Sequence, residues 1–303
     1  MLVSIYSEET IAKYGVVEGY KRLKDAGFEA IDWSCGRVWG IRATTAARAL
    51  PDNCLLLWDI EKIIERFQPD FDEIKKNGLV IGQAHAPIAI YIKGQPSFQK
   101  QIEQANINML KLCGHAKIPY LVIHAPNRAV DDDYMTYAEL WQATIERFAP
   151  LIPTIKETGV KVLLESCLDG SYHRFAGARP LYIAGPCCDP YEACEIIDTL
   201  NKMAGEECFG LCLDTGHLNL AKRRMRPYVD IVGSRIKALH VHDSSCVQDD
   251  HFVPEMGTID WNDLIDGLRA INYRGNINFE RSPEPYENDL VKYGKMMIER
   301  ILK

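Results

Sequence analysis

Leu211-Cys-Leu-Asp-Thr-Gly-His217 is the stretch whose reading decides the fold. It opens as an apolar run and breaks at Asp214, with His217 three residues on. A parallel strand covered on both faces reads as a near-continuous apolar run. Its polar break therefore sits at the carboxyl end, where parallel α/β sheets place their chemistry. Asp and His both ligate divalent cations, and Gly216 is expected to let the chain turn tightly between them. One such stretch means little alone, but the same pattern recurs along the chain.

Upstream, apolar runs are read as strands at Leu2 to Tyr6, Ala30 to Trp33, Leu79 to His85, Tyr120 to His124 and Lys161 to Glu165. Downstream they fall at Ile236 to His240 and Asn276 to Glu280. Helical spacing is read between them at Glu9 to Ala26, closed by Gly27, and at Leu55 to Lys76, interrupted by Pro69. Further helices are expected at Gln99 to Ala116, Met135 to Thr158 (disturbed near its end by Pro150 and Pro153), Tyr191 to Ala204, Asp260 to Ile271 and Glu287 to Leu302. Strands alternating with helices imply parallel βαβ units. Eight of them in roughly 250 residues or slightly more is the size of a (β/α)8 barrel. With no linker or low-complexity segment, residues 1–303 are read as one α/β domain, a TIM barrel. An open doubly wound sheet is the weaker alternative, because no glycine-rich phosphate fingerprint follows the first strand.

Composition narrows the function. Hydrophobic residues make up 47% and charged residues 25% of the 303, ordinary for a chain with a large core. A net charge of -7 opposes nucleic-acid binding over a broad surface. The acidic run Asp131-Asp-Asp133 opposes it too, and Lys222-Arg-Arg224 with Arg226 is the one dense basic cluster. No leader or long apolar run is read, so neither secretion nor a membrane span is expected. The ten cysteines are scattered without a CxxC pair, which suits buried thiols in a reduced, cytoplasmic chain.

In a barrel, all strand carboxyl ends open at one mouth. His85, His124, Glu165, Asp214 with His217, His240, Glu280 and the later Asp249-Asp-His251 are thus expected to converge. Buried carboxylates and imidazoles so close together are costly unless compensated, and a divalent cation compensates them. His242 is expected to point the same way as His240 by strand alternation. His115, His173 and Cys167 are given no role.

At these residues the chain resembles a family. Gln83-Ala-His-Ala-Pro87, Val122-Ile-His-Ala-Pro126, Leu163-Leu-Glu165, Leu213-Asp-Thr-Gly-His217, Leu239-His-Val-His-Asp243, Met256-Gly-Thr-Ile-Asp-Trp261 and Asn278-Phe-Glu280 resemble the xylose isomerase-like TIM-barrel superfamily. That group holds sugar isomerases and epimerases, inosose dehydratase and endonuclease IV. The resemblance implies a metal site on Glu165, Asp214, His240 and Glu280, with Mn²⁺ first and Mg²⁺, Co²⁺ or Zn²⁺ as alternatives. It implies that His217 and His251 hold substrate oxygens. It also implies that His85, His124, His217, Asp249 and His251 match ligands of the additional zinc ions in the endonuclease.

Sugar isomerase or epimerase is the first functional expectation, with a small sugar or sugar-derived substrate, phosphorylated or not, and a homo-oligomer left open. A metal acidifies the carbon beside a carbonyl; Glu165 and Glu280, on opposite sides of the mouth, would move its proton through an enediolate. His85, His124, His217, His251, Arg281 and Trp33 are expected to bind substrate. Arg37 and Trp39 are expected to wall the pocket, and Leu168 to Pro190, with Tyr172, His173, Arg174, Arg179 and Tyr182, to form a lid. The alternatives are a trinuclear zinc phosphodiesterase like endonuclease IV, or a lyase-type relative resembling inosose dehydratase or cleaving C-glycosides.

Overall fold

In a computed structural model, residues 1–36, 54–87, 94–126, 129–130, 133–172 and 181–303 are described. Eight parallel strands carry the fold: β1 (Val3–Tyr6), β2 (Ala30–Ser34), β3 (Val80–His85), β4 (Tyr120–Ile123), β5 (Lys161–Glu165), β6 (Phe209–Asp214), β7 (Ile236–His240) and β8 (Ile277–Phe279). They pair in the order β7-β6-β5-β4-β3-β2-β1-β8. The two ends of that sheet meet through a parallel bridge between Val241 and Phe279. Val241 N–H donates to Asn278 O at 2.8 Å and Glu280 N–H to Val241 O at 3.2 Å, so the sheet closes on itself. The architecture is the single-domain TIM barrel expected from the alternation.

Among the described residues, the α-helices are α1 (Glu8–Asp25), α2 (Ile60–Lys76), α3 (Pro96–Ala116), α4 (Tyr137–Phe148), α5 (Ile152–Thr158), α6 (Pro190–Ala204), α7 (Thr215–Leu220), α8 (Met225–Val232), α9 (Trp261–Ala270) and, after β8, α10 (Glu287–Leu302). Gly27, at φ 99°, follows α1 in the left-handed region that glycine tolerates. α2 runs on through Pro69, against the sequence expectation of a break there. The segment around Pro150 and Pro153 does divide, into α4, a 3-10 turn at Ala149–Leu151 and α5. Each proline lies at the start of its element, where a missing N–H costs no bond.

The main core lies between sheet and helices, with Phe28, Phe67, Phe148, Phe209 and Phe279 all buried. Inside the barrel a smaller apolar cluster joins Val122, Leu163, Cys212 and Ala238. None of the ten cysteines is in a disulfide, and no described helix is long and apolar enough to cross a membrane. The segment expected as a lid begins with an antiparallel hairpin, Leu168–Tyr172 against Leu181–Ala184. Arg37, Trp39, Asp131, Asp132, His173, Arg174, Arg179 and the side chains of Tyr172 and Tyr182 lie outside the described residues.

Candidate metal and acid–base centre

The strand ends share one pattern, an apolar strand closed by a polar residue, and at β6 that residue also shapes the turn. Asp214 ends β6 and caps α7, accepting from the His217 N–H at 2.6 Å. The resulting turn places His217 beside the strand end. Gly216 is needed for a reason other than turning. It lies within α7, and a Cβ there would sit 2.0 Å from His242 Cε1. Glycine lets the His242 ring press against this helix and reach Asp214, with Nε2 3.1 Å from each carboxylate oxygen.

Glu165 stands at the centre. Its Oε2 is 3.0 Å from His85 Nε2 and 2.9 Å from His124 Nε2. Its Oε1 is 3.2 Å from His240 Nδ1 and 3.4 Å from His217 Nδ1. Glu280 Oε1 approaches the same His240 Nδ1 at 3.3 Å, and Asp214 Oδ2 lies 3.9 Å from it. At the rim, Asp249 Oδ2 lies 3.4 Å from both His217 Nε2 and His251 Nε2. His251 stacks on His242 with ring centres 3.9 Å apart. The strand-end residues therefore converge as the sequence suggested. His242 joins them, bonded to Asp214.

These side chains are of the kind that could hold a cation. His85 Nδ1 lies 2.6 Å from Ala86 O, and His251 Nδ1 lies 2.6 Å from Glu280 O. A nitrogen that donates to a carbonyl leaves a lone pair on the other ring nitrogen. In His85 and His251 that second nitrogen faces a carboxylate, and a proton or a cation must lie between them. His240 Nδ1 and Glu280 Oε2 are buried without a hydrogen-bond partner. An ion held at about 2.0–2.2 Å by tetrahedral N and O donors separates them by about 3.3–3.5 Å. The distances of 3.2 and 3.3 Å around His240 Nδ1 match that spacing. Donor atoms of His85, Glu165, His240 and Glu280 all lie within 4.8 Å of one another, as do those of Glu165, Asp214 and His217. Cys167, expected to have no role, brings its sulfur into a similar group with His124 and Glu165.

The charges divide the two glutamates. Burial pushes Glu165 up, but His240 and His124 outweigh it and hold the carboxyl well below the usual carboxylate range. Burial dominates at Glu280; despite the pull of His240, it is pushed up to about 7, with Glu165 and Asp214 adding to the rise. Asp214 resists burial through His217 and His242 and falls to about 2. Burial opposes protonation of His251, but its bond to Asp249 and the nearby Glu280 raise it to about 9. Burial lowers His124.

One expected substrate contact is corrected, and a second residue has its guanidinium engaged at the rim. Trp33 does not wall the mouth. It is fully buried and packs edge-on against Phe67, ring centres 5.1 Å apart, and against Phe71. Neighbouring residues on a strand face opposite ways, and Asp32 takes the inward position that Trp33 cannot share. Arg281 does not extend freely into the mouth. Its guanidinium donates to His251 O at 3.0 Å and Ser282 O at 2.9 Å and lies over the Tyr286 ring. It braces the rim loop. Asp32 itself was missed, and its signal was present: a carboxylate inside the apolar run Ala30 to Trp33, short of the strand end.

A family model for the xylose isomerase-like TIM barrel matches residues 20–299. Over 77 residues the chain is 35% identical to the uncharacterized protein y4fM of Sinorhizobium fredii, and the aligned part spans 25% of each chain. In structure it is similar to a D-tagatose 3-epimerase-like protein, with a TM-score of 0.69, 16% identity and coverage of 100% of this chain and 97% of that one. It is also similar to the D-allulose 3-epimerase from Methylomonas sp. in complex with D-allulose, with a TM-score of 0.67, 13% identity and coverage of 99% and 96%. At these identities the structural likeness shows a shared fold.

Proposed function

The chain belongs to the xylose isomerase-like TIM-barrel family, and from that premise we propose that it is a divalent-metal-dependent sugar isomerase or epimerase. One observation carries this reading. Glu165 Oε1 and Glu280 Oε1 flank a single unpartnered nitrogen, His240 Nδ1, at 3.2 and 3.3 Å. Glu165, Asp214, His240 and Glu280 would hold the ion, Mn²⁺ by preference over Mg²⁺, Co²⁺ or Zn²⁺, with His85 close enough to join them. A bound ion polarises the oxygens of an adjacent carbonyl and hydroxyl and so acidifies the carbon between them.

The chain's own groups then move the proton. Glu165, held ionised by its imidazole neighbours, takes it from that carbon as general base. Glu280, across His240 Nδ1 from Glu165, would return one to the opposite face of the enediolate. His217 and His251, at the partly open rim, face the place where substrate hydroxyls would lie. The free cysteines support a reducing, cytoplasmic setting.

A second reading has its own observation. His85 and His124 converge on Glu165 Oε2, and His217 and His251 converge on Asp249 Oδ2, giving two more triplets of metal-type donors. Three ions would suit a zinc phosphodiesterase. The surface opposes it. Arg223, Arg224 and Arg226 pair with Asp189, Asp263 and Asp230, and Lys222 donates to Cys246 O, so the one basic cluster is already engaged.

The test is Mn²⁺-loaded protein incubated in D₂O with free and phosphorylated ketopentoses and ketohexoses. Deuterium entering beside the carbonyl, with an epimer or aldose appearing, is expected by NMR. A dehydrated product would mark a lyase instead. No exchange with any sugar, together with about three zinc ions per chain and cleavage of abasic DNA, would establish the phosphodiesterase.

A further inference from the structure

Below the acidic centre, the barrel interior holds a buried polar chain that the proposed proton transfers do not use. Ser4 Oγ donates to Asn278 Oδ1 at 2.8 Å, which turns the Asn278 amide so that Nδ2 faces Asp32. That Nδ2 donates to Asp32 Oδ2 at 3.2 Å, and Gln83 Nε2 donates to the same oxygen at 2.8 Å. His240 Nε2 lies 3.1 Å from Asp32 Oδ2 as well. Ser4, Asp32, Gln83, His240 and Asn278 are all buried, on strands β1, β2, β3, β7 and β8. A polar network spanning five strands inside a barrel core is costly unless each bond is made.

We propose that Asp32 is a positioning residue that keeps a proton on His240 Nε2, so that Nδ1 presents its lone pair to the ion. The consequence for the ion rests on the metal-site reading above; the Asp32–His240 bond does not. Two donors fix the Asp32 carboxylate in place, and its acceptor oxygen meets only the Nε2 edge of the ring. On the other edge, three carboxylate oxygens lie within 3.2–3.9 Å of Nδ1. The two nearest, Glu165 Oε1 and Glu280 Oε1, are close enough to accept a proton from Nδ1, and a proton there removes the lone pair a cation needs. Asp32 sets the opposite preference. It also fixes the ring plane, because Nε2 must stay on the Asp32–Gln83–Asn278 side. Carboxylate partners of metal-binding imidazoles act in this way generally, and losing one weakens metal binding about tenfold to a hundredfold.

The experiment labels histidine with ¹⁵N and follows the ring nitrogens of His240, identified by its loss in His240→Gln. Spectra are taken without metal and with Zn²⁺, for the wild type, Asp32→Asn and Asp32→Ala. The expected result is a downfield, exchange-protected Nε2–H in both wild-type states, with Zn²⁺ shifting Nδ1 alone. In the variants that proton is lost to exchange, and calorimetry shows Zn²⁺ affinity reduced by about tenfold to a hundredfold. Coordination of Zn²⁺ through Nε2, or no protected Nε2–H in the wild type, overturns the proposal even where a variant fails to fold. So does an Asp32→Ala protein that keeps both the proton and the affinity. A wild type that binds no Zn²⁺, Mn²⁺ or Co²⁺ yet keeps the protected proton removes the metal-site reading and leaves the Asp32 bond standing.

Discussion

Glu165 turns each of its oxygens toward a different pair of imidazoles, and that geometry makes its charge testable separately from its shape. Glu165→Gln keeps the volume but gives up the anion that His85, His124, His217 and His240 surround. A positioned general base contributes about 10²–10⁴-fold. Exchange of the substrate proton with solvent deuterium should therefore fall by at least about 10²-fold; retained exchange would remove Glu165 from the mechanism. Gly216→Ala sets two effects against each other. Alanine favours a helix over glycine by about 1 kcal/mol, but its Cβ would meet His242 Cε1 at 2.0 Å, Nδ1 at 2.5 Å and Nε2 at 2.7 Å. A contact that short cannot persist, so the ring leaves Asp214. The expected outcome is a folded protein with metal affinity weakened about tenfold or more by calorimetry; wild-type affinity would show that His242 does not steady Asp214. At this scale the sequence was partly legible. Strand ends announced Glu165, Asp214, His240 and Glu280, because a polar residue closing an apolar run has few structural reasons to be there. Asp32 lay inside a run and Trp33 beside it, and a pattern of types does not say which of two neighbours faces inward.

Elements hold these residues in place, and the loop after β7 shows how one side chain can organise a whole connection. Asp243 Oδ1 accepts from the N–H groups of Ser244 at 2.8 Å, Thr258 at 3.0 Å and Ile259 at 3.2 Å. Its Oδ2 accepts from Glu255 N at 3.0 Å and Trp261 Nε1 at 2.9 Å. A Cβ at Gly257 would sit 2.2 Å from Oδ1, so that glycine lets the loop close over the carboxylate. The loop thus folded carries Asp249 and His251 to the rim. Asp243→Ala leaves four of these five donors without an acceptor, several of them buried, while Thr258 N–H keeps Ser244 O; the cost is about 3 kcal/mol or more. Chemical denaturation should show that loss, and the protected amides of residues 255–259 should exchange faster. A loss under about 1 kcal/mol would mean that water or a neighbouring carbonyl replaces the carboxylate. Elements were the most legible scale, since the bounds of β5, β7 and α10 coincide with the apolar runs and helical spacing in the sequence. The hairpin from Leu168 was not, because its pairing joins residues across a long connection that leaves no local period.

The whole molecule explains why so much titratable surface is tolerated at one place. Eight strands bring side chains from residues 85 to 280 to one mouth, and closure by the Val241–Phe279 bridge removes the space into which they would otherwise relax. The barrel was legible from alternation alone. What the mouth holds was legible only as a set of residue types, since the ion itself leaves no letter in the sequence. Without an ion, the cluster carries unpartnered buried atoms at His240 Nδ1, His242 Nδ1, Asp249 Oδ1 and Glu280 Oε2, each of which costs stability. A ligand bound only by the folded state stabilises it by about 2.7 kcal/mol at one hundred times its Kd. For a chain of this size that is a rise in Tm of several degrees. Protein stripped with a chelator and dialysed should therefore melt lower than the same protein given Mn²⁺, Co²⁺ or Zn²⁺, and Mg²⁺ should act more weakly because it keeps its waters. Glu280→Gln should shrink the rise, since it removes an anion facing the same nitrogen as Glu165. A Tm that does not move with any of these ions, in a protein whose folded baseline is intact, would mean that protons rather than a cation hold this ring of acids and imidazoles together.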